Sequence, residues 1–242
     1  MARCWLADGR CGRIGLPCSS PRRCVARTLS KLHERRWRDK LGLFAVEGED
    51  LVEAAATAGI EPVELLVAGE TIEPVLLAEV STLAHPPRAI GVFSRDDLPD
   101  GARETVLALW HVADPGNVGA LLRSADAFGA SVALSPGCAD PTGPKALRAS
   151  MGAVFRVPTC AFDDAPGRRI ALVPRGGTPL SGAQLDGPIA FVLGAEREGL
   201  PAEVLARCDE RASIPQSGHA ESLNVAMAGT IALYELSRRS RS

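Results

Sequence analysis

The sequence predicts an α/β protein in two parts, a small α/β unit followed by a larger one on a mainly parallel sheet. Three observations lead there. Short apolar runs of strand length alternate with stretches of helical spacing along most of the chain. The polar segment 94–104 (SRDDLPDGARE), with Pro99 and Gly101, interrupts that alternation and marks a linker. Beyond it the strand-like runs are apolar throughout and separated by helices, the pattern of strands covered on both faces of a parallel sheet.

Taken in order, residues 1–22 hold Gly, Pro, Ser and Cys without periodicity and read as a disordered leader. From Cys24 to Lys40, Val25, Leu29 and Leu32 recur at helical spacing among arginines and lysines, which predicts a basic helix or helix-turn. Leu43 to Val46 is a short apolar run closed by Glu47-Gly48. A helix follows over 49–58, then a strand at Val63 to Val67, a helix over 72–83 and a strand at Ala89 to Phe93. In the second part, strands are expected at Thr105 to Val112, Val132 to Leu134, Ile170 to Val173, Ile189 to Leu193 and Ala212 to Ile214. Helices are expected at Asn117 to Phe128, where Gly129 supplies a C-terminal cap, at Lys145 to Val154, and at Ser222 to Arg238. The last carries Leu223, Ala226, Met227, Thr230, Leu233 and Tyr234 on one broad face.

Composition narrows the function classes. Of 242 residues, 46% are hydrophobic and 23% charged, a globular balance that excludes disorder throughout. No apolar run is long enough to span a bilayer, and the basic, Cys-rich first residues lack the apolar stretch of a signal peptide. The expectation is a soluble cytoplasmic protein with no membrane partner. The net charge of −2 hides an asymmetry: residues 1–40 carry 11 Lys and Arg against three Asp and Glu. Such a segment is either a solvated leader or the footprint of a polyanion, most often nucleic acid. Cys4, Cys11, Cys18 and Cys24 are regularly spaced but include no CxxC pair, so no metal is expected.

Three glycine-bearing segments stand after expected strands, where open α/β sheets bind ligands. They are Asp114 to Ala125 (DPGNVGALLRSA), Leu193 to Pro201 (LGAEREGLP) and Ile214 to Ala226 (IPQSGHAESLNVA). None is a dinucleotide fingerprint, a P-loop or a hydrolase elbow. His33, His85, His111 and His219 show no metal spacing, although His219 lies inside the third segment. Asn117, Arg123, Glu196, Ser222 and Asn224 are polar at loop–helix junctions. Ser222 and Asn117 would serve as helix caps; capping does not account for Arg123, which lies one to two turns into a helix.

The segments DPGNVGALLRSADAFGA, FVLGAEREGLP and IPQSGHAESLNVAMAGTIALYE, with DPTGPKALRASMGAVFRVP between the first two, resemble the motifs of the SpoU (TrmH) family of SPOUT RNA methyltransferases, in the same order. The segment 28–55 (TLSKLHERRWRDKLGLFAVEGEDLVEAA) is similar, less closely, to the module that precedes the catalytic domain in many members. The leader (1–22) lies outside the resemblance, which implies an L30e-like α/β substrate-binding domain (23–96) and a SPOUT-type trefoil-knotted parallel-sheet domain (104–242). It implies S-adenosylmethionine as cofactor, with backbone groups near Gly194, Ile214 and Leu223 as its contacts, and a homodimer with the site near the subunit interface. By the same resemblance Arg123 is the central catalytic residue, with Asn117, Glu196, Ser222 and Asn224 in support. Arg123 is either a base or, since guanidinium stays protonated, a fixed cation that lowers the pKa of a ribose hydroxyl. Arg35, Arg36, Arg38 and Lys40 are expected to hold RNA phosphates. The implied activity is 2′-O-ribose methylation, of 23S ribosomal RNA by preference. The alternatives are a transfer-RNA enzyme, a base-nitrogen methyltransferase and a catalytically silent RNA-binding protein.

Overall fold

The computed structural model describes residues 21–217 and 222–239. The expected leader therefore lies outside the described residues up to position 20, whereas Pro21 and Arg22 already belong to a helix. The chain divides into two compact units, one ending at Leu98 and including Thr142–Arg148, the other formed by Pro99–Pro141 and the chain from Ala149 onward.

The first unit opens with two helices, α1 (Pro21–Leu32) and α2 (Arg35–Leu41), so the basic stretch is a helix-turn-helix rather than one helix. Gly42, at φ 64°, ends α2. Strands β1 (Leu43–Glu47), β2 (Glu64–Val67) and β3 (Ala89–Ser94) form a sheet in the order β1-β3-β2, with β3 antiparallel to both neighbours. Helices α3 (Glu49–Thr57) and α4 (Pro74–Val80) connect them. Alternation sorts the two faces. Leu43, Ala45, Ile90 and Val92 pack with Leu29, Leu32 and Leu77 from α1 and α4, while Phe44 stacks on Phe93 at 5.9 Å on the opposite face. Behind the sheet, the buried Glu47 carboxylate accepts from the Ser81 hydroxyl at 2.6 Å and from the Thr82 amide at 2.9 Å, pinning the chain after α4.

One expected RNA contact is corrected here. Arg38 is buried, 4% exposed, and donates to the carbonyls of Leu32 at 2.8 Å and His33 at 2.9 Å. These acceptors lie at the end of α1, where helix carbonyls lack partners of their own. Arg38 therefore locks α1 to α2 and is not available to a phosphate.

The second unit holds a seven-stranded sheet in which every neighbouring pair is parallel. Its strands are β4 (Thr105–Leu109), β5 (Ser131–Leu134), β6 (Thr159–Ala161), β7 (Arg168–Leu172), β8 (Thr178–Pro179), β9 (Ile189–Leu193) and β10 (Glu210–Ser213), in the order β6-β5-β4-β9-β7-β10-β8. Leu107, Leu109, Phe191 and Leu193 face a core shared with α5 (Pro115–Phe128) and α8 (Val225–Arg239). Val106, Ala108, Ala190 and Val192 face the other side with Phe162 and Val204, the latter on α7 (Ala202–Leu205). The central strands are thus buried on both faces, as their unbroken apolar runs require.

Several boundaries move for identifiable reasons. The strand expected through Val112 stops at Leu109, and His111 turns into the left-handed region at φ 52°. The helix α6 (Pro144–Ser150) ends before Val154 because Met151 and Gly152 both adopt positive φ, after which Ala153–Phe155 form a 3₁₀ turn. The last helix begins at Val225 rather than Ser222, with Asn224 as its cap: Asn224 Oδ1 accepts from the amides of Ala226 at 2.9 Å and Met227 at 3.3 Å. Likewise Asp114, not Asn117, caps α5, accepting from the Asn117 amide at 3.0 Å. Where α8 crosses α5, a Cβ on Gly229 would stand 2.5 Å from Leu121 Cδ2, so a hydrogen at this position allows the close approach.

Candidate active site

The strand order reverses between β4 and β9. β5 follows β4 on one side of the sheet, while β9 and β7 occupy the other. Ligand crevices form beyond the carboxyl ends of strands near such a reversal. A cavity of about 530 Å³ lies there, walled by Leu172 at the end of β7 with Val173 and Pro174, by Leu193 at the end of β9 with the following residues to Leu200, by Ile214 and Gln216 after β10, and by Ser222 through Val225 with Ala228 of α8.

The loop after β9 is held by its own backbone. Gly199, at φ 68°, donates to the Ala195 carbonyl at 2.9 Å, closing a tight turn over Glu196-Arg197-Glu198. Gly194 fits under that turn because it has no side chain. A Cβ there would lie 2.3 Å from the Gly199 carbonyl carbon and 2.6 Å from the Leu200 nitrogen, which are backbone atoms that cannot simply rotate away.

A chain of hydrogen bonds crosses the rim. Asn224 Nδ2 donates to Asn117 Oδ1 at 3.0 Å, and Asn117 Nδ2 donates to Glu196 Oε1 at 2.9 Å. Both asparagines sit at helix starts, α8 and α5, and the glutamate on the β9 turn. Three separate segments are thus fixed to one another before any ligand arrives. Asn224 uses both ends of its amide, capping α8 with its oxygen and reaching Asn117 with its nitrogen.

The expected site residues fall into three groups. Gly194, Glu196, Ile214, Ser222, Leu223 and Asn224 all line the cavity. Asn117 joins them through its hydrogen bonds. Arg123 is not among the lining residues; it is exposed on α5, with no hydrogen bond or ion pair to the other described residues. His219 lies outside the described residues. In the first unit Arg35 and Arg36 are exposed and paired with Asp39 at 3.7 Å and Glu34 at 2.7 Å, while Lys40 stands near the Trp37 ring.

Sequence reasoning missed Gln216. Its Oε1 is buried against the cavity wall with no hydrogen-bond partner among the described residues. A buried acceptor left without a donor is costly, and a bound ligand with N–H or O–H groups removes that cost. Missed too was the capping role of Asp114, although an acidic residue directly before Pro115 at the first helical position is a legible start signal. Neither the wall 172–174 nor Trp37 carried a sequence signal. Among the described residues, no group of three His, Cys, Asp or Glu could hold a metal ion, and no helix is long and apolar enough to cross a membrane.

Comparison with known proteins places this geometry. The pattern of the SpoU rRNA Methylase family matches residues 104–234, and that of an MRM3-like substrate binding domain matches residues 26–101. The 23S rRNA (guanosine(2553)-2′-O)-methyltransferase RlmP of Bacillus subtilis is 32% identical over 230 residues, covering 85% of this chain and 93% of that protein. A crystal structure of an AdoMet-bound rRNA methyltransferase from Sinorhizobium meliloti aligns with a TM-score of 0.80 at 27% identity, over 92% of this chain and 97% of the other. The SpoU methyltransferase AviRb from Streptomyces viridochromogenes, in complex with AdoMet, aligns with a TM-score of 0.80 at 26% identity, over 90% and 98%.

Proposed function

The chain belongs to the SpoU rRNA Methylase family, and from that premise we propose that it transfers a methyl group from S-adenosylmethionine to a ribose 2′-hydroxyl of RNA, with 23S ribosomal RNA as substrate. The observation that carries this reading is the cavity beyond β7, β9 and β10, with its rim fixed by the Asn117–Glu196–Asn224 hydrogen bonds. Its volume falls within the range of cofactor sites. Gln216 Oε1, without a partner among the described residues, suits a nucleoside bearing hydrogen-bond donors. Gly194, Ile214, Leu223 and Gln216 are the residues that would hold it.

S-adenosylmethionine would supply a sulfonium-borne methyl group open to in-line attack by the ribose oxygen, with neutral S-adenosylhomocysteine as the leaving group and the hydroxyl proton lost to water. The chain's own residues must then align that oxygen and stabilise the charge it develops. The asparagine–glutamate chain fixes the rim, and Ser222 adds a hydroxyl at the cavity wall. We assign Arg123 the role of a fixed cation rather than a base: it is exposed on α5, and a guanidinium draws anionic oxygen toward it.

The position of Arg123 outside the cavity of its own chain supports a homodimer, in which Arg123 of one copy completes the site of the other. Met227, Ile231 and Tyr234, exposed at successive turns of α8, supply an apolar stripe for that contact. We assign residues 23–96 as the RNA-binding domain, with Arg35, Arg36 and Lys40 as its phosphate contacts, and residues 104–242 as the methyltransferase domain with a trefoil knot near its C-terminus. The reaction is assigned to the cytoplasm, where ribosomal RNA is accessible.

The test is transfer of labelled methyl from S-adenosylmethionine to 23S RNA, followed by nuclease digestion and mass spectrometry. A nuclease-resistant 2′-O-methyl dinucleotide is expected. Label on a base, or in transfer RNA alone, overturns the assignment.

A further inference from the structure

The basic face of the first unit is arranged differently from the expected one. Arg38 is buried, and Arg35 and Arg36 face the carboxylates of Asp39 and Glu34. Asp39 also receives Arg95 at 2.6 Å. Asp39 of α2 and Glu34 just before it are therefore committed to arginines. Lys31 near the end of α1 and Lys40 near the end of α2 have no ion pair among the described residues, and both converge on one aromatic ring. Lys31 Nζ lies 4.5 Å from the centre of the Trp37 ring and Lys40 Nζ 5.2 Å from it, with the Arg36 guanidinium at 5.7 Å. One turn before Lys31, on the same side of α1, Arg27 is exposed and likewise unpaired among the described residues.

A half-buried indole ringed by ammonium groups without counter-ions is one half of an interaction. The two helices have other links: Arg38 of α2 donates to the end of α1, and α1 packs on the core through Ala26, Leu29 and Leu32. An ammonium on an aromatic face at the surface is held weakly. A phosphate is a stronger partner for lysine, and a base is a stronger partner for indole. One ligand offers both within a single repeat: an unpaired nucleotide. A duplex offers the phosphates but keeps the faces of its bases stacked within the helix. An acidic peptide offers anions but no flat ring.

We infer that Trp37, with Lys31, Lys40 and Arg27, forms a seat for an unpaired RNA nucleotide, the base stacking on the indole and its flanking phosphates held by the three cations. This inference rests on RNA being the substrate and adds to it that the recognised segment is a loop, bulge or single strand.

The experiment titrates the full chain with two RNAs of equal length, a hairpin with an adenosine loop and a fully paired duplex, following indole emission and affinity. The hairpin is expected to bind more tightly and to quench emission, and Trp37→Phe is expected to abolish most of the quenching while keeping most of the affinity. Trp37→Ala should weaken hairpin binding about tenfold, the size of one lost base stack, and leave duplex binding unchanged. Lys31→Gln with Lys40→Gln should flatten the salt slope by about 1.4, two single-strand phosphate contacts. The inference is overturned if hairpin and duplex lose affinity alike in Trp37→Ala, if emission does not respond, or if polyglutamate displaces the hairpin as well as RNA does. Should Trp37→Ala not fold, the Phe variant and the lysine pair decide between the same outcomes. Methyl transfer to ribose by the wild-type chain is measured in parallel: its absence refutes the proposed function, whereas its presence with an unaltered Trp37→Ala refutes only the seat.

Discussion

At the cavity rim of the second unit, Asn224 donates to Asn117 and Asn117 to Glu196, so these three polar side chains already hold one another. On α1 and α2 of the first unit, Lys31 and Lys40 face an indole and no carboxylate among the described residues. The first arrangement is rigid before any ligand binds, which suits a site that must present aligned groups to a reacting oxygen without reorganising. The second leaves its cations to find counter-ions, which suits attraction of a polyanion and makes binding sensitive to salt. The same chain thus separates chemistry from capture by how it pairs its polar groups.

Arg123 is the residue that could break this division, because it is a cation without a partner among the described residues that is assigned to chemistry. Arg123→Ala is expected to lower the rate of methyl transfer by about 10² to 10³, the loss typical of one preorganised charge stabiliser, while calorimetry with S-adenosylhomocysteine shows unchanged cofactor affinity. The homodimer reading adds a sharper expectation. Neither Arg123→Ala nor Gly194→Val, whose side chain displaces the 199–200 wall of the cavity, is active alone, but a mixed dimer of the two regains activity at the one site where an intact cavity meets an intact arginine. No recovery on mixing means that Arg123 acts within its own chain.

Gly194→Ala tests the rigidity of the rim with a smaller effect. The added methyl would meet the Gly199 backbone at 2.3 Å, so the 194–200 turn must shift. Strain from such overpacking costs about 1–3 kcal/mol, expected as a fall in melting temperature together with weaker cofactor binding. Weaker binding with an unchanged melting temperature would mean that the turn yields freely and that the rim is not preorganised.

Asn224 carries two duties that substitution can separate. Asn224→Ala removes both the α8 cap and the link to Asn117, and should destabilise the unit by about 1 kcal/mol. Asn224→Ser keeps a capping oxygen but has no amide to donate across the rim. Denaturant unfolding is expected to show the Ser variant near wild type, and methyl-transfer assays to show both variants impaired. If Ser restores activity as fully as stability, the rim hydrogen bond is dispensable.

Much of the second unit was readable because burial on both faces of a parallel sheet leaves an apolar run, as at Ile189 to Leu193, that little else explains. The strands β6 and β8 were not foreseen; at three and two residues, with Thr159, Thr178 and Pro179 among them, they carry no apolar run. The cavity residues Gly194, Ile214 and Leu223 were named from motif resemblance, whereas Gln216 became visible only as an acceptor without a donor once its surroundings were known. Arg38 shows the reverse failure. In the sequence it is one basic residue among several; only the turn between α1 and α2 reveals the carbonyls that draw it inward.

If paired groups respond to protons and free cations to salt, α8 offers the mildest test. Glu235 accepts from Arg238 at 2.9 Å and from Arg239 at 2.9 Å, and these hydrogen bonds, that of Arg238 first, hold its carboxyl down at about 2 instead of the ordinary 4.5. Arg239 in turn donates to the carbonyls of Ala183 at 2.7 Å and Leu180 at 2.6 Å, fixing the end of α8 to that turn. A carboxyl depressed in the folded state stabilises the fold above its unfolded pKa and loses that contribution as pH falls through the folded value. The melting temperature of the wild-type chain is therefore expected to exceed that of Glu235→Gln at neutral pH, and the gap to close between pH 4.5 and about 2. The gap should narrow with added salt, as for any partly exposed ion pair, but less steeply than RNA binding through Lys31 and Lys40, which releases counter-ions from a polyanion. A gap that vanishes in salt at neutral pH would put Glu235 in the same class as the free lysines and remove the distinction between the two regions.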